Sequence, residues 1–315
     1  MRNPQTDVQS KVVLMHPPRS YRPRKFCCTW PAPAVHQGVA TLFLGLCFTV
    51  SVSWAAPIAT NTALPLSADE IIVRQQFVMT RSSDRITGIS RRVDRFESRT
   101  VLGYGYSSKL ALFGVLPLVD VSTEIGAASA SEFGLGDAAL FARYEVFRSD
   151  RPGRTLRIAP YAGVRLPTGR DGKTGDGSVD VFGGVIATFA SIQWVLDTQL
   201  RYDFNREADG FERGDSISFE SSFQYRLAPG RVTKDTKGFV FGVLELSANH
   251  YDRNRLGGVT DPNSGGFQLY LTPGLQYATR RWIADLGVKV PIVNDLNGTA
   301  LEPDYSVLTS IRINF

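Results

Sequence analysis

Few residues of this 315-residue chain have types and spacings that suit covalent chemistry. Its histidines are His16, His36 and His250, and its cysteines are Cys27, Cys28 and Cys47. Only His250 lies beyond residue 55. That leaves no second histidine there for an acid–base relay and no thiol for redox or metal chemistry. A nucleophile–base pair needs side chains within hydrogen-bond reach. Ser247 lies at the opposite alternation parity to His250, and Asn249 is adjacent in sequence instead of facing it, so His250 reads as an interfacial, non-catalytic residue. Gly172-Lys173-Thr174 imitates the end of a phosphate-binding loop, but Pro167 stands where the first glycine belongs and no helix pattern follows. Asp171, Asp176 and Asp180 lack the spacing of an EF-hand loop. Gly103-Tyr104-Gly105 lies in a strand pattern, where glycine marks a bulge or close packing and not a nucleotide site. No catalytic residue, cofactor or metal is expected.

A second set of polar residues is more informative. Arg143, Glu145, Arg157, Arg165, Asp197, Arg201, Asp203, Glu220, Arg226, Glu245, Asp285 and Lys289 all fall on the polar parity of alternating segments. Six are basic and six acidic. If the apolar parity faces lipid, these charges face a lumen. They then form either a mutually paired network filling a narrow barrel or a polar path with mixed charge. Phe113, Phe141, Tyr161, Phe182 and Tyr270 share the inward parity, as an amphipathic lining for an aromatic solute or as ordinary filling.

The elements that position these residues are strands. From Ile71 onward about twelve segments alternate with period two, separated by turn chemistry. They run roughly over 71–81, 92–106, 109–121, 137–147, 155–167, 178–189, 193–204, 215–227, 239–250, 267–277, 281–291 and 305–315. Trp194, Leu196, Thr198, Leu200, Tyr202 and Phe204 share one face, while Gln193, Asp197, Gln199, Arg201 and Asp203 share the other. Connections after the second, sixth and tenth segments are tight. Those after the third, fifth, seventh, ninth and eleventh are mostly ten residues or more and polar. This alternation predicts an all-β fold: an up-and-down antiparallel transmembrane β-barrel of about twelve strands, with brief periplasmic turns and long outer loops. In lipid an all-β protein must close on itself so that every backbone polar group is paired. Pro160 and Pro273 fall near mid-strand, where the missing N–H argues against the boundaries drawn.

Both ends of the chain agree with that fold. Arg2, Lys11, Arg19, Arg22, Arg24 and Lys25 precede the apolar run 39–52, and Ser53-Trp54-Ala55 fits small-x-small cleavage. Residues 1–55 therefore read as a signal peptide, with Met15 an alternative start. Cys47 lacks the context of a lipoprotein cleavage site. The presequence carries six of 35 basic residues and one of 30 acidic ones, so the remainder holds 29 of each and is neutral. Nucleic acid is not an expected partner. Residues 56–70, rich in Ala, Pro and Thr, read as a periplasmic leader ahead of a barrel over 71–315. The last strand ends on an aromatic residue: Tyr305, Val307, Ile311, Ile313 and Phe315 share one parity, as in the C-terminal strands that the outer-membrane barrel-assembly machinery recognises.

Gly134-Leu135-Gly136-Asp137, the strand ending at Tyr144 and Leu166-Pro167-Thr168-Gly169 resemble a group of outer-membrane barrels named for a MetA pathway of phenol degradation, also described as transporter-like. Gly103-Tyr104-Gly105-Tyr106 through Leu116-Pro117 resembles the hairpin that precedes these motifs, and the resemblance is clearest over residues 100–170. It implies uptake or efflux of small, often aromatic or hydrophobic compounds. The expected protein is thus a monomeric channel or transporter-like barrel in the outer membrane of a Gram-negative-type bacterium, with membrane lipid, the assembly machinery and a small solute as partners. The alternatives are an outer-membrane lipid hydrolase using His250, and a structural or adhesion barrel with a closed lumen.

Overall fold

The computed structural model describes residues 57–170 and 172–315; the signal-peptide reading of residues 1–55 lies outside them. None of the described residues is helical. Twelve antiparallel strands close into one barrel. They are β1 (Ile71–Ile86), β2 (Ile89–Gly105), β3 (Leu110–Ile125), β4 in three segments (Ala128–Leu135, Ala138–Tyr144 and Phe147–Arg151), β5 (Arg154–Leu166), β6 (Asp180–Ser191), β7 (Trp194–Phe204), β8 (Ser216–Ala228), β9 (Gly238–Tyr251), β10 (Gly266–Thr279), β11 (Trp282–Leu296) and β12 (Pro303–Asn314). Neighbours in sequence pair with each other, and β12 pairs with β1 from Ile72↔Asn314 to Ser82↔Pro303. The terminal Phe315 N–H donates to the Ile71 carbonyl at 2.8 Å and completes the seam.

The two parities separate cleanly. On β7, Leu200, Tyr202 and Phe204 are exposed, whereas Asp197, Gln199 and Asp203 at the opposite parity are buried. The same inversion recurs on β8 and β9, with Phe219, Phe223 and Leu244 outside and Gln224, Glu245 and Ser247 inside. A water-soluble protein would do the reverse, because exposed apolar side chains are then costly. An apolar outside and a polar inside is the arrangement for which hydrocarbon is the solvent.

The prolines explain irregularities in the wall. Pro117 on β3 faces the break at Gly136-Asp137 that divides the first two segments of β4. Pro160 on β5 faces the second break, at Glu145-Val146. Pro273 lies where the β10–β11 ladder is interrupted, and Pro291 at its register shift. A residue without an N–H cannot complete a ladder, so these prolines sit where pairing is broken: the partner strand bulges opposite Pro117 and Pro160, β11 itself carries the extra residue beside Pro291, and the ladder lapses without a register shift at Pro273. Mid-strand prolines here mark bulges or gaps in the ladder and not misplaced boundaries.

Two connections differ from expectation. The long polar loop predicted after the third segment is instead an extension of β3 and β4, turning at Gly126-Ala127. The first hairpin likewise runs on to a tight turn at Thr87-Gly88, both at positive φ. Both extensions have water on either side, so nothing selects alternation and no period is left to read. The crowded charges of β2 are cross-strand and same-face pairs, among them Arg81–Asp94, Arg91–Asp84 and Arg99–Glu97. Four further short strands (207–208, 211–212, 255–256 and 259–260) form a small sheet from the loops after β7 and β9.

Lipid-facing and interior positions should respond differently to charge. Leu200→Arg, on the lipid parity of a central strand, is expected to destabilise the barrel by about 2–4 kcal/mol in vesicle unfolding, and Ile292→Arg near the outer rim by about 1 kcal/mol or less. Equal effects would contradict the assigned membrane depth.

Candidate functional site: the occupied lumen

Residues 57–70 do not hang in the periplasm. They cross the inside of the barrel as an extended strap and reach the wall again where β1 begins. Ile58, Thr60, Ala63 and Leu66 are all buried. The correction has a simple cause: the stretch from Pro57 to Ala68 carries no charge and mostly small side chains, so it can lie in a narrow polar lumen.

An extended chain without a neighbouring strand must find partners for its own N–H and C=O groups. Interior side chains supply them. Glu245 on β9 accepts from two successive amides, Ile58 at 2.8 Å and Ala59 at 3.0 Å. The Ile58 carbonyl accepts from Arg74 at 2.5 Å and Gln76 at 2.9 Å, both on β1. Gln199 accepts from the Asn61 amide at 2.9 Å, and Thr188 accepts from the Ala63 N–H at 2.7 Å. Arg143 on β4 donates to the Thr62 and Leu64 carbonyls. The Ile58 side chain sits against Gly274 and Gly287, and a Cβ added at Gly274 would come within 2.4 Å of it. Gly105 similarly makes room for the Ser67 carbonyl, which a Cβ there would meet at 1.9 Å.

Interior layers follow one another along β5. Nearest the periplasmic turn, Arg157 donates to Glu145 at 2.6 Å and to Asp150 at 2.9 Å. Next, Ala159 packs in one cluster with Ala63 of the strap, Tyr161 and Phe182. Phe113, Phe141, Tyr161 and Phe182 then form an aromatic layer: the first two rings stack at 4.7 Å, and Phe141 meets Tyr161 and Phe182 edge-on at 6.1 Å. Leu66 of the strap packs with Phe113. Arg143 and Arg201 lie over the Phe113 and Phe182 rings at 5.0 and 4.2 Å, within cation–π range. Toward the outer mouth, Arg201 and Arg165 both bind Asp203, at 2.6 and 3.0 Å, and Arg165 reaches Asp180 at 3.2 Å.

All twelve charged residues singled out from the sequence are buried or half-buried. The structure does not join them into one network. Arg157–Glu145 and the Arg165–Arg201–Asp203 group pair among themselves. Glu245 and Arg143 hold the strap. Asp197 takes hydrogen bonds from Thr188 and Gln224, Glu220 takes one from Gln199, and Arg226 donates to Gln193. Asp285 pairs with Arg74 and Ser310. The ammonium of Lys289 lies 4.2 Å from the centre of the Tyr270 ring, with no hydrogen bond to it among the described residues. Sequence reasoning missed Arg74, Gln76 and Thr188, because their role exists only once the strap is inside. The available signal was the uncharged stretch from Pro57 to Ala68 beside a barrel whose interior carries carboxylates.

The motif residues turn out to build a clasp. Asp137 accepts from the Gly169 N–H at 2.9 Å and the Asp176 N–H at 2.8 Å. Thr168 donates to the Gly136 carbonyl and accepts from Ala138, both at 2.8 Å. Lys173 and Thr174, from the phosphate-loop imitation, bind Glu132 and the Leu135 carbonyl at 2.5 and 2.7 Å. The loop after β5 is thereby pinned to the outer extension of β4. Lys173 holds the Glu132 carboxyl below its ordinary range, so that contact is present at neutral pH and is lost as pH falls through the lowered value. Asp176 pairs with Arg213, and Asp180 with Ser178 and Arg165. His250 is exposed on the outer parity 3.7 Å from Asp252, while Ser247 is buried inside, so the two do not meet.

Residues 77–292 match the family described as "Putative MetA-pathway of phenol degradation". The chain belongs to this family. Among solved structures, the barrel is similar to the COG4313 outer membrane channel from Pseudomonas putida F1, with TM-score 0.63 and 12% identity over 82% of this chain and 100% of that one. At that identity the likeness concerns the fold, which is that of an outer-membrane barrel. The translocator domain of autotransporter NalP from Neisseria meningitidis is more distant: TM-score 0.44 and 12% identity, over 80% of this chain and 91% of that one. Comparison with curated proteins gives no match.

Two experiments follow from this geometry. In protein taken from outer membranes, a cysteine at Thr60 should resist a polar maleimide. It should become labelled when Gly274→Val blocks the Ile58 seat or when Glu245→Ala removes contacts worth about 1.5–3 kcal/mol. Equal labelling without either change would refute a seated strap. Asp137→Ala should speed tryptic cleavage at Arg170 and Lys173 with the barrel intact; unchanged cleavage would deny the clasp its role.

Proposed function

We propose that the protein is an outer-membrane channel for small, often aromatic or hydrophobic compounds, held shut at rest by its own N-terminal strap. The single observation that carries this reading is the layered lumen, in which a mixed-charge mouth leads to an aromatic layer backed by the strap. A solute entering from the outer loops meets Arg165, Arg201 and Asp203. These charges balance in part and select weakly by sign. It then meets the faces of Phe113, Phe141, Tyr161 and Phe182, which suit a flat apolar ring with a polar edge. Passage requires the strap to shift. Its contacts are hydrogen bonds to single side chains and not a continuous ladder, so water can replace them one at a time.

The inward charges serve this path in two ways. Some line it, and others, Glu245 and Arg143 first, grip the strap. The barrel closes from one chain, which favours a monomer. Export by residues 1–55 and delivery to the assembly machinery through Tyr305, Val307, Ile311, Ile313 and Phe315 complete the proposal. Phe315 is 73% exposed and Ile311 44%, so this parity is open to a binding partner.

Conductance in a planar bilayer tests the reading. The intact protein should be almost silent. Deleting residues 57–66 should produce discrete steps that an aromatic acid such as benzoate reduces more than acetate does. Silence of the folded deletion variant would sink the channel reading, and equal conductance of both proteins would sink the plug.

A further inference from the structure

The two rims of the barrel differ in the share of their cations that is paired. At the outer rim Arg91, Arg92, Arg170, Lys173, Arg213 and Arg255 each pair with a carboxylate, while Arg85, Arg206 and Arg253 make no ion pair among the described residues. At the opposite rim, the turn between β8 and β9 presents Arg231, Lys234 and Lys237, and the turn between β10 and β11 presents Arg280 and Arg281. All five are exposed, and none makes an ion pair among the described residues. These turns are neighbours, because β9 and β10 pair from Gly238↔Thr279 onward. Asp235 is the one acidic residue in the two turns.

A second observation gives the height of this patch. Tyr277 and Trp282 pack together at 5.2 Å between ring centres on its lipid side, both exposed. Further round the same rim, Phe189 stacks on Trp194 at 4.9 Å between ring centres, and Trp194 meets Phe223 in a tilted contact at 5.9 Å. Exposed Tyr and Trp at a barrel rim settle at the level of lipid headgroups. The five cations therefore stand at headgroup level and not free in water.

We propose that the turns 229–237 and 280–281 form a docking surface for acidic phospholipid headgroups of the periplasmic leaflet. Unpaired Lys and Arg beside an aromatic belt offer charge-assisted hydrogen bonds to phosphate, and the belt holds the acyl chains against the wall. The exposed pair Arg151 and Arg154, adjacent across the turn between β4 and β5, extends the same chemistry round the rim. The inference rests on short turns facing the periplasm and is independent of whether the lumen conducts.

Native mass spectrometry of the intact barrel in mild detergent, with equal amounts of phosphatidylglycerol and phosphatidylethanolamine, tests it. Phosphatidylglycerol should be retained several-fold over phosphatidylethanolamine. The combined variant K234Q, K237Q, R280Q and R281Q should bring the two to near parity, while R92Q and R170Q on the outer rim should leave the excess unchanged. Heat-modifiable mobility checks that each variant is folded. If the combined variant does not fold, the wild type decides alone: the excess should collapse at about 0.5 M salt, where screening is strong. Equal retention of both lipids by the wild type, an undiminished excess in the folded variant, or an excess indifferent to salt would overturn the assignment. Displacement of bound phosphatidylglycerol by a glutamate-rich peptide would instead assign the surface to an acidic protein partner and would also overturn it.

Discussion

One constraint governs both the wall and its contents: a backbone polar group removed from water must be given a partner. In the wall, the partner is the next strand, and closing β12 onto β1 leaves no edge in the lipid. Where Pro117 and Pro160 remove a donor, the opposite strand bulges in place of leaving a carbonyl stranded. Inside the lumen the same demand falls on the strap, which has no neighbouring strand. Glu245, Thr188, Arg74, Gln76 and Arg143 meet it one group at a time.

This gives the interior charges a reason to exist that is separate from ion passage. A carboxylate or guanidinium in a narrow barrel is costly unless it is hydrogen-bonded. Arg157 with Glu145, and Arg201 with Asp203, satisfy one another locally. Glu245 and Arg143 are instead satisfied by a segment of chain that is not part of the wall. Much of the compensation for their desolvation comes from the seated strap, so the fit of the strap and the burial of these charges are linked. The glycines at 105, 274 and 287 belong to the same fit, since side chains there would occupy the space of Ser67 and Ile58.

The family motifs act at a distance from the lumen. Gly134 to Asp137 and Leu166 to Gly169 meet at the outer rim, where Asp137 ties down two amides of the loop after β5. In the phosphate-loop imitation, Lys173 and Thr174 have their partners on β4. The mouth of the barrel is therefore framed by a pinned loop, while the opposite rim carries the Tyr277–Trp282 and Phe189–Trp194 pairs beside the exposed cations Lys234, Lys237, Arg280 and Arg281.

The fold was legible in the sequence wherever two solvents act on a strand. Period-two alternation requires one face in lipid and the other in a polar interior, and from β5 to β12 that contrast placed the strands to within a few residues. It failed in the outer halves of the first four strands, where both faces meet water and charge pairs such as Arg91–Asp84 replace hydrophobic pattern. Parity alone also sorted His250, which is exposed, from Ser247, which is buried. What no local pattern could decide was the location of residues 57–70. An uncharged, aperiodic segment has no preferred face, and its place follows from partners on β1, β4, β6 and β9 that meet only when the barrel closes. The aromatic layer is likewise a tertiary product, since Phe113, Phe141, Tyr161 and Phe182 come from four strands whose register is set by pairing. Sequence by itself determined a closed twelve-stranded membrane barrel, because solvent contrast is written residue by residue. Only the tertiary structure decided that its lumen is occupied, because occupancy depends on which side chains face each other across the interior.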